Sequence, residues 1–271
     1  MSVAKTKDLT SARYWDEQWS RLEVRGNYGS LDWVSKNYVY RSLDRLLRSV
    51  LPADPLKTFI ELGSGPARWM IYFHKVFGYR VFGCDYSEVS CELARKNLAQ
   101  AGIAGEIAQA DFFKLEGQYD VVFSGGVIEH FDQPDEVLAG FARLVAPGGI
   151  LITDVPNLGG LCGFYQRRLK PETFETHRLV RLSDIRGWHR ALGLEELLAT
   201  PYGSFSLSRL PGAPWRSRLV QRLLWRPFTL LASRGINRLC LTLLRLGLRV
   251  DHPLISPHLL VISRKSSGGM S

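Results

Sequence analysis

The stretch TFIELGSGPARW at 58–69, followed by RVFGCDYS at 80–87, decides the fold. A short apolar run enters two glycines and then a helical pattern, and glycine at such a corner marks backbone that must pass close to a ligand with no room for a Cβ. Outward from that corner the alternation repeats. Strands are expected at 58–62, 80–85, 106–111, 119–124 and 150–155, and helices at 66–77, 87–101 and 134–145. Pro66 opens the first of these helices, Ser87 caps the second and Gly102 follows its end. A helix at 183–192, a strand near 195–202 and a last strand, HLLVISRK at 258–265, complete the pattern, which predicts an α/β parallel sheet covered on both faces. Upstream, YVYRSLDRLLRSVL at 38–51 sets Leu43, Leu46, Leu47 and Val50 on one helical face, so a helical layer precedes the sheet.

The strand tips carry the chemistry. Asp85, twenty residues beyond Gly65, stands where a carboxylate accepts both hydroxyls of a ribose. The third glycine of a dinucleotide fingerprint is missing, with Arg68 in its place, which disfavours a pyrophosphate. Glu61 beside the glycine corner would repel a pyrophosphate and suits a cofactor bearing an ammonium group. Asp111 and Phe112 after the third strand offer an acceptor for an adenine amino group and an aromatic face for its ring. The four cysteines, at 84, 91, 162 and 240, form no CxxC pair; a reducing cytosol is expected, with Cys84 and Cys91 in the core and no metal centre. A metal set of Glu129, His130, Asp132 and Asp135 is conceivable, but the same spacing describes a capped loop. The polar, aromatic start lacks the apolar run of a secretory signal.

Taken together, ELGSG, CDYS, ADFF, YDVVFSGGVIEHF and LVAPGGILI, in this order over roughly residues 55–156, resemble the class I S-adenosylmethionine-dependent methyltransferases, closest in motif style to small-molecule and quinone-modifying members. The resemblance implies a Rossmann-like seven-stranded sheet with a reversed last strand, and S-adenosyl-L-methionine as cofactor. It places Gly63 and Gly65 at the methionine part with Glu61 near its amino group. Asp85 would hold the ribose, Tyr86 and Phe112 would flank the adenine, and Asp111 would meet the adenine amino group. Ser124 and Gly125 would contact the methionyl moiety from below. An upstream YW pair often folds over the cofactor in such enzymes. Here that is Tyr14 and Trp15, with Trp19 a turn further on, and ordinary packing would explain these aromatics equally well. His130 in GVIEHF is the first candidate for a base acting on the acceptor, beside a purely structural reading in which it orients its loop. His177 is a rival in the segment that usually lines the acceptor pocket; His189 is expected to face solvent or pack on its helix.

The net charge of +9 is lopsided. Residues 1–160 hold 17 Lys and Arg against 20 Asp and Glu, whereas residues 161–271 hold 18 against 6. In 203–257 there are nine Arg, no Lys and one acid, Asp251, so an anionic partner is expected there. In 214–228, Arg218, Arg222 and Arg226 flank an apolar face. In 229–250, Arg234, Arg238, Arg245 and Arg249 share a stripe opposite Ile236, Leu239, Cys240, Leu243 and Leu246, with Leu241 breaking the pattern. Three arginines within 230–248 would each cost about 2.5–3.5 kcal/mol near a bilayer centre, so the segment is expected to lie on a membrane surface rather than cross it. A lid or a partner-subunit interface is the competing reading. Nucleic acid is disfavoured, because strand four ends in SGGV and the Arg-rich segments are too leucine-rich for a stacking platform.

The expected organisation is a helical cap at 1–54, a cofactor-binding domain at 55–202 and 257–266, a basic amphipathic insertion at 203–256 and a disordered tail at 267–271. The expected function is a cytosolic, peripherally membrane-attached methyltransferase acting on a small lipophilic acceptor such as a quinol, phenol, lipid or polyprenyl-linked compound. A methyltransferase of a soluble metabolite, a nicotinamide-dependent oxidoreductase and a non-catalytic nucleoside-binding module are the alternatives.

Overall fold

The computed structural model describes residues 6–21, 30–204 and 226–267. Its elements are α1 Ala12–Arg21, α2 Asp32–Lys36, α3 Tyr38–Val50, β1 Thr58–Leu62, α4 Arg68–Phe77, β2 Arg80–Asp85, α5 Glu88–Ala101, β3 Gly105–Gln109, β4 Tyr119–Gly125, α6 Pro134–Arg143, β5 Val145–Pro156, α7 Leu161–Leu169, α8 Pro171–Glu175, α9 Leu182–Ala191, β6 Leu194–Tyr202, α10 Arg226–Arg245 and β7 His258–Lys265. The seven strands form one sheet in the order β3-β2-β1-β4-β5-β7-β6. β7 runs antiparallel to both β5 and β6, and the other pairings are parallel. Because the chain winds one way from β1 to β3 and the other way from β4, a crevice opens above the carboxyl ends of β1 and β4.

Strand alternation explains why these segments read as continuous apolar runs. Phe59, Val81, Val121, Phe123 and Ile152 face α3 and α4, while Ile60, Leu62, Val122 and Leu151 face α6 and α9. Phe59 stacks on Phe73 of α4 at 4.1 Å between centroids, which fixes that helix over β1. Ser87 accepts a hydrogen bond from the Ser90 amide and Gly102 takes the left-handed conformation, so α5 begins and ends as its sequence predicts.

Several boundaries differ from expectation. The α4 helix starts at Arg68, because Ala67 adopts φ 59° and ψ 25°, a left-handed conformation that ends the loop two residues past Gly65. β3 stops at Gln109, since the Asp111 carboxylate turns back to accept the Phe113 amide and opens a short 3-10 turn, Phe112–Lys114. APGG is an irregularity inside β5 rather than a turn before it: pairing with β4 jumps from Tyr119↔Val145 to Val121↔Ile150. His189 does not face solvent. It is buried between Thr153 Oγ1, 3.0 Å from Nε2, and Ser263 Oγ, 2.9 Å from Nδ1, and burial depresses it to about 4.

The basic segment also departs from its expected arrangement. Of its first half, 214–225 lies outside the described residues. In α10, Cys240 and Leu244 are buried with Tyr38 of α3, and Ile236 and Leu241 pack against them, so much of the apolar stripe is spent on the fold itself. The Asn237 side chain accepts the Tyr38 amide and donates to Lys36 O, the last turn of α2. Leu239 and Leu246 remain 60% and 71% exposed, alongside Arg234, Arg238 and Arg245. Asp251, the one acid of this segment, is its anchor. It accepts from Tyr38 OH at 3.1 Å, the Gly203 amide at 2.9 Å, Ser42 Oγ at 3.4 Å and Arg249 Nε at 2.6 Å. Asp251→Ala strands these donors, so chemical denaturation is expected to show a loss of about 2–3 kcal/mol. Unchanged stability would show that α10 is held by its apolar contacts alone.

Candidate functional site

The corner after β1 is built by backbone that tolerates no side chain. Gly63 and Gly65 have φ of +71° and +44°; a Cβ on Gly63 would sit 2.6 Å from Val127 Cγ2, and one on Gly65 3.0 Å from the Trp19 ring. The amides of Gly63 and Ser64 both donate to Cys84 O, which ties the corner to the tip of β2. There the Asp85 carboxylate accepts the Gly65 amide at 3.1 Å, the Ser87 amide at 2.9 Å and Ser90 Oγ at 2.8 Å. Burial raises its pKa from the ordinary aspartate value, and these donors partly offset the shift. Glu61, also buried, accepts the Met70 amide at the start of α4 at 3.1 Å. Burial pushes its carboxyl well up, opposed by that amide and by the Arg68 charge.

An N-terminal arm closes the crevice. Leu9 N donates to His130 O, Asp132 N to Lys7 O and Lys7 N to the Asp132 carboxylate, so residues 7–9 run beside the loop after β4. From the other side Tyr86 OH donates to Asp8 at 2.9 Å and Ser87 Oγ to Asp16 at 2.6 Å. The arm thereby spans from the β2 tip to the β4 tip. Trp15 stacks on Trp19 and meets the His130 ring edge-on at 5.1 Å between centroids. Beneath lies a cavity of about 340 Å³.

Of the residues singled out from sequence, Glu61, Gly63 and Gly65 line one wall of this cavity, Asp85 and Tyr86 the β2 end, Trp19 the roof, and Phe112, Gly125 and His130 the far side. Four others stand apart from the lining. Tyr14 lies edge-on to Trp15, 5.2 Å between centroids. Asp111 is exposed and its carboxylate is occupied by the Phe113 amide. Ser124 is buried in β4, and its hydroxyl has no hydrogen-bond partner. His177 packs behind His130, 4.4 Å between ring centroids. Asp8, Thr10, Arg68, Trp69 and Phe131 line the cavity without having been singled out as cofactor or catalytic groups. Arg68 and Trp69 adjoin the glycine corner in sequence and could have been found there. Asp8 and Thr10 arrive only through the arm's tertiary path.

On the far wall, His130 Nδ1 lies 2.9 Å from Thr176 O, so Nδ1 carries the proton and Nε2 the lone pair. Burial and the neighbouring His177 hold His130 down to about 4, so the ring is neutral at neutral pH. Glu129, only 2% exposed, is pushed up to about 8 by burial and the Asp154 charge, and its Oε2 has no hydrogen-bond partner. The ligand atoms of Glu129, His130 and His177 all lie within 4.8 Å of one another, a spacing that one divalent ion could bridge. Asp132 of the conceivable metal set is instead committed to Lys7 and Thr6.

Residues 60–153 match a family model described as a methyltransferase domain. Ubiquinone biosynthesis O-methyltransferase of Pseudomonas aeruginosa is 30% identical over 130 residues, covering 44% of this chain and 56% of the relative. An Escherichia coli enzyme of the same name is 28% identical over 131 residues, covering 44% and 55%. The chain thus matches over little more than half the length of these curated relatives. Among solved structures, a possible histamine N-methyltransferase from Thermotoga maritima superposes with a TM-score of 0.56 at 16% identity, over 94% of this chain and 97% of the other. A geranyl diphosphate C-methyltransferase from Streptomyces coelicolor gives 0.52 at 14% identity, over 82% and 78%. The fold is therefore that of the class I S-adenosylmethionine-dependent methyltransferases, as the motifs imply.

Because the folded-state pKa of Glu129 lies above its unfolded value, its carboxyl is neutral in the fold at pH 5 and opposes folding increasingly as pH rises through 8. Glu129→Gln removes that dependence. Relative to wild type, the variant is expected to gain on the order of 3 kcal/mol between pH 4.5 and pH 9 in urea denaturation. An equal difference at both pH values would contradict the buried, uncharged state.

Proposed function

With a methyltransferase domain matched at 60–153 as premise, we propose that this chain transfers a methyl group from S-adenosyl-L-methionine to a small lipophilic acceptor, such as a quinol, phenol, lipid or polyprenyl-linked compound, at a membrane surface. One observation carries the cofactor half of this reading. The Asp85 carboxylate is fixed by three internal donors at the switch point of the sheet, inside a cavity floored by two glycines that no side chain could replace. An ionised carboxylate has about four lone-pair sites, so Asp85 retains capacity for a ribose hydroxyl. Glu61 offers a carboxyl to an ammonium group, and Tyr86 and Phe112 offer rings to an adenine.

When bound, the sulfonium supplies an activated methyl with a neutral leaving group, so alignment is the protein's main task. Trp15 and Trp19 line the cavity and would exclude water from the bound cofactor. His130, its ring on the cavity lining and its tautomer fixed by Thr176 O, would accept a hydrogen bond from an acceptor hydroxyl through the neutral Nε2, which lies 4.0 Å from Glu129 Oε1. His177 would position His130 from behind. Gly125, at the end of β4 and on the cavity lining, would contact the methionyl moiety from below, with Ser124 buried beside it. A base is needed only for some acceptors, and His130, held to about 4, would be a weak one.

The acceptor class rests on two features. The curated relatives are named for ubiquinone biosynthesis, an O-methylation. In this chain Phe228, Leu231, Leu239 and Leu246 are exposed on or just after α10 among Arg234, Arg238 and Arg245, and Phe164 of α7 is 61% exposed beside Arg167 and Arg168. Interleaved leucine and guanidinium suits a headgroup layer. Among the described residues no helix is long and apolar enough to cross a membrane. A soluble acceptor, with α10 as a fixed part of the fold, is the second reading; it is favoured by the burial of Cys240 and Leu244 against α3.

Two measurements test the proposal. Calorimetry is expected to show S-adenosylmethionine binding that falls at least about tenfold in Asp85→Ala; unaltered binding would refute the site. Sedimentation with anionic liposomes is expected to pull down the wild type at low salt and not a Leu239→Asp, Leu246→Asp double variant. A protein that stays in the supernatant would favour the soluble acceptor.

A further inference from the structure

The 3-10 turn Phe112–Lys114 carries one wall of the cavity with little in it to hold its own shape. A single turn of this kind has poor hydrogen-bond geometry and no length to compensate. Here Lys114 N donates to Asp111 O at 2.9 Å and Leu115 N to Phe112 O at a longer 3.3 Å. Its first residue, Phe112, is buried and lines the cavity. The tie comes from α6. Arg143, the last residue of that helix, sends its guanidinium to three carbonyls of the turn: Nη2 donates to Phe112 O at 3.0 Å and to Phe113 O at 2.7 Å, and Nη1 donates to Leu115 O. Phe141 of the same helix meets the Phe112 ring edge to face at 4.9 Å between centroids, and Phe131 does so at 5.7 Å. The Phe113 ring lies so close over α6 that a Cβ on Gly140 would sit 3.0 Å from it. Arg143 itself is exposed, so its side chain is fixed by these carbonyls and not by burial.

A planar fork of donors suits the end of a short turn, where carbonyls point outward without partners of their own. Its positive charge also suits the carboxyl end of the helix that carries it. We propose that Arg143 is a positioning residue for the cofactor: by clamping 112–115 to α6 it keeps the Phe112 ring on the cavity wall where the adenine lies. This deepens the S-adenosylmethionine reading above and rests on it. Arg143 is not on the cavity lining and acts only through Phe112. α6 begins at Pro134, just after the loop that holds His130, so one helix carries the acceptor-side loop at its start and clamps the adenine-side turn at its end. Lysine would keep the charge without the fork and could not hold three carbonyls at once, which explains the residue type.

The test is a double-mutant cycle read by calorimetry with S-adenosylhomocysteine on the full chain. Arg143→Met and Phe112→Leu are each expected to weaken binding about tenfold. If Arg143 acts through the ring at 112, the double variant loses no more than either single one, whereas independent effects would multiply to about 100-fold. A change that merely loosened the fold would weaken binding whichever side chain stood at 112. Arg143→Lys is expected to lose less than Arg143→Met, and takes its place in the cycle if Arg143→Met fails to fold. Unchanged affinity in Arg143→Met, or losses that multiply in the double variant, would overturn the assignment and leave Arg143 as a support of α6 alone. Wild-type affinity in Phe112→Leu would overturn it too, while the cofactor reading stood on Asp85. If the wild type bound no S-adenosylhomocysteine, the cofactor reading itself would fall, and this inference with it.

Discussion

The hydrogen bond from the Gly65 amide to the Asp85 carboxylate, 3.1 Å long, is the constraint on which the rest of the site depends. It joins the corner after β1 to the tip of β2. It forms where Gly63 and Gly65 adopt left-handed conformations and pass against Val127 and Trp19 without a Cβ. Asp85 gains a fixed orientation from this contact, from the Ser87 amide that precedes α5 and from Ser90 Oγ inside it. A buried carboxylate held by three donors is costly to assemble and expensive to disturb.

The remaining geometry follows from placing that contact at the sheet's switch point. The helical layer before β1 backs one wall, where Trp33 and Tyr40 pack on Arg68, and the arm before it supplies the roof through Trp15 and Trp19. Near the glycine corner the cavity gathers the carboxyls of Glu61 and Asp85 and the Arg68 guanidinium, and toward the β4 tip it presents the His130 ring, kept neutral by burial.

Much of this was legible in the sequence because strands, glycines and strand-tip carboxylates are local signals. The first five strands, the cap at Ser87 and the strand-end positions of Glu61 and Asp85 follow from short patterns, whereas the reversal of the last strand came only from the family resemblance. What was not legible depended on where distant segments meet. Asp8 reaches Tyr86 only because the arm pairs with the loop after β4. The apolar stripe of α10 could not be known to pack against Tyr38, since amphipathicity shows that a face is buried but not by what. Ala67 hides its left-handed conformation because alanine carries no turn signal, and APGG imitates a turn although the strand continues through it. Arg68 was visible as a missing glycine; its cradle of two rings was not.

The central claim is that a nucleoside with a sulfonium tail lies in the crevice above β1 and β4, its ribose on Asp85. A crystal structure of the complex with S-adenosylhomocysteine tests this most directly. Density with the ribose hydroxyls at the Asp85 carboxylate and the thioether toward Gly125 and His130 is the expected result. An empty crevice, or a ligand whose ribose lies away from Asp85, would contradict it.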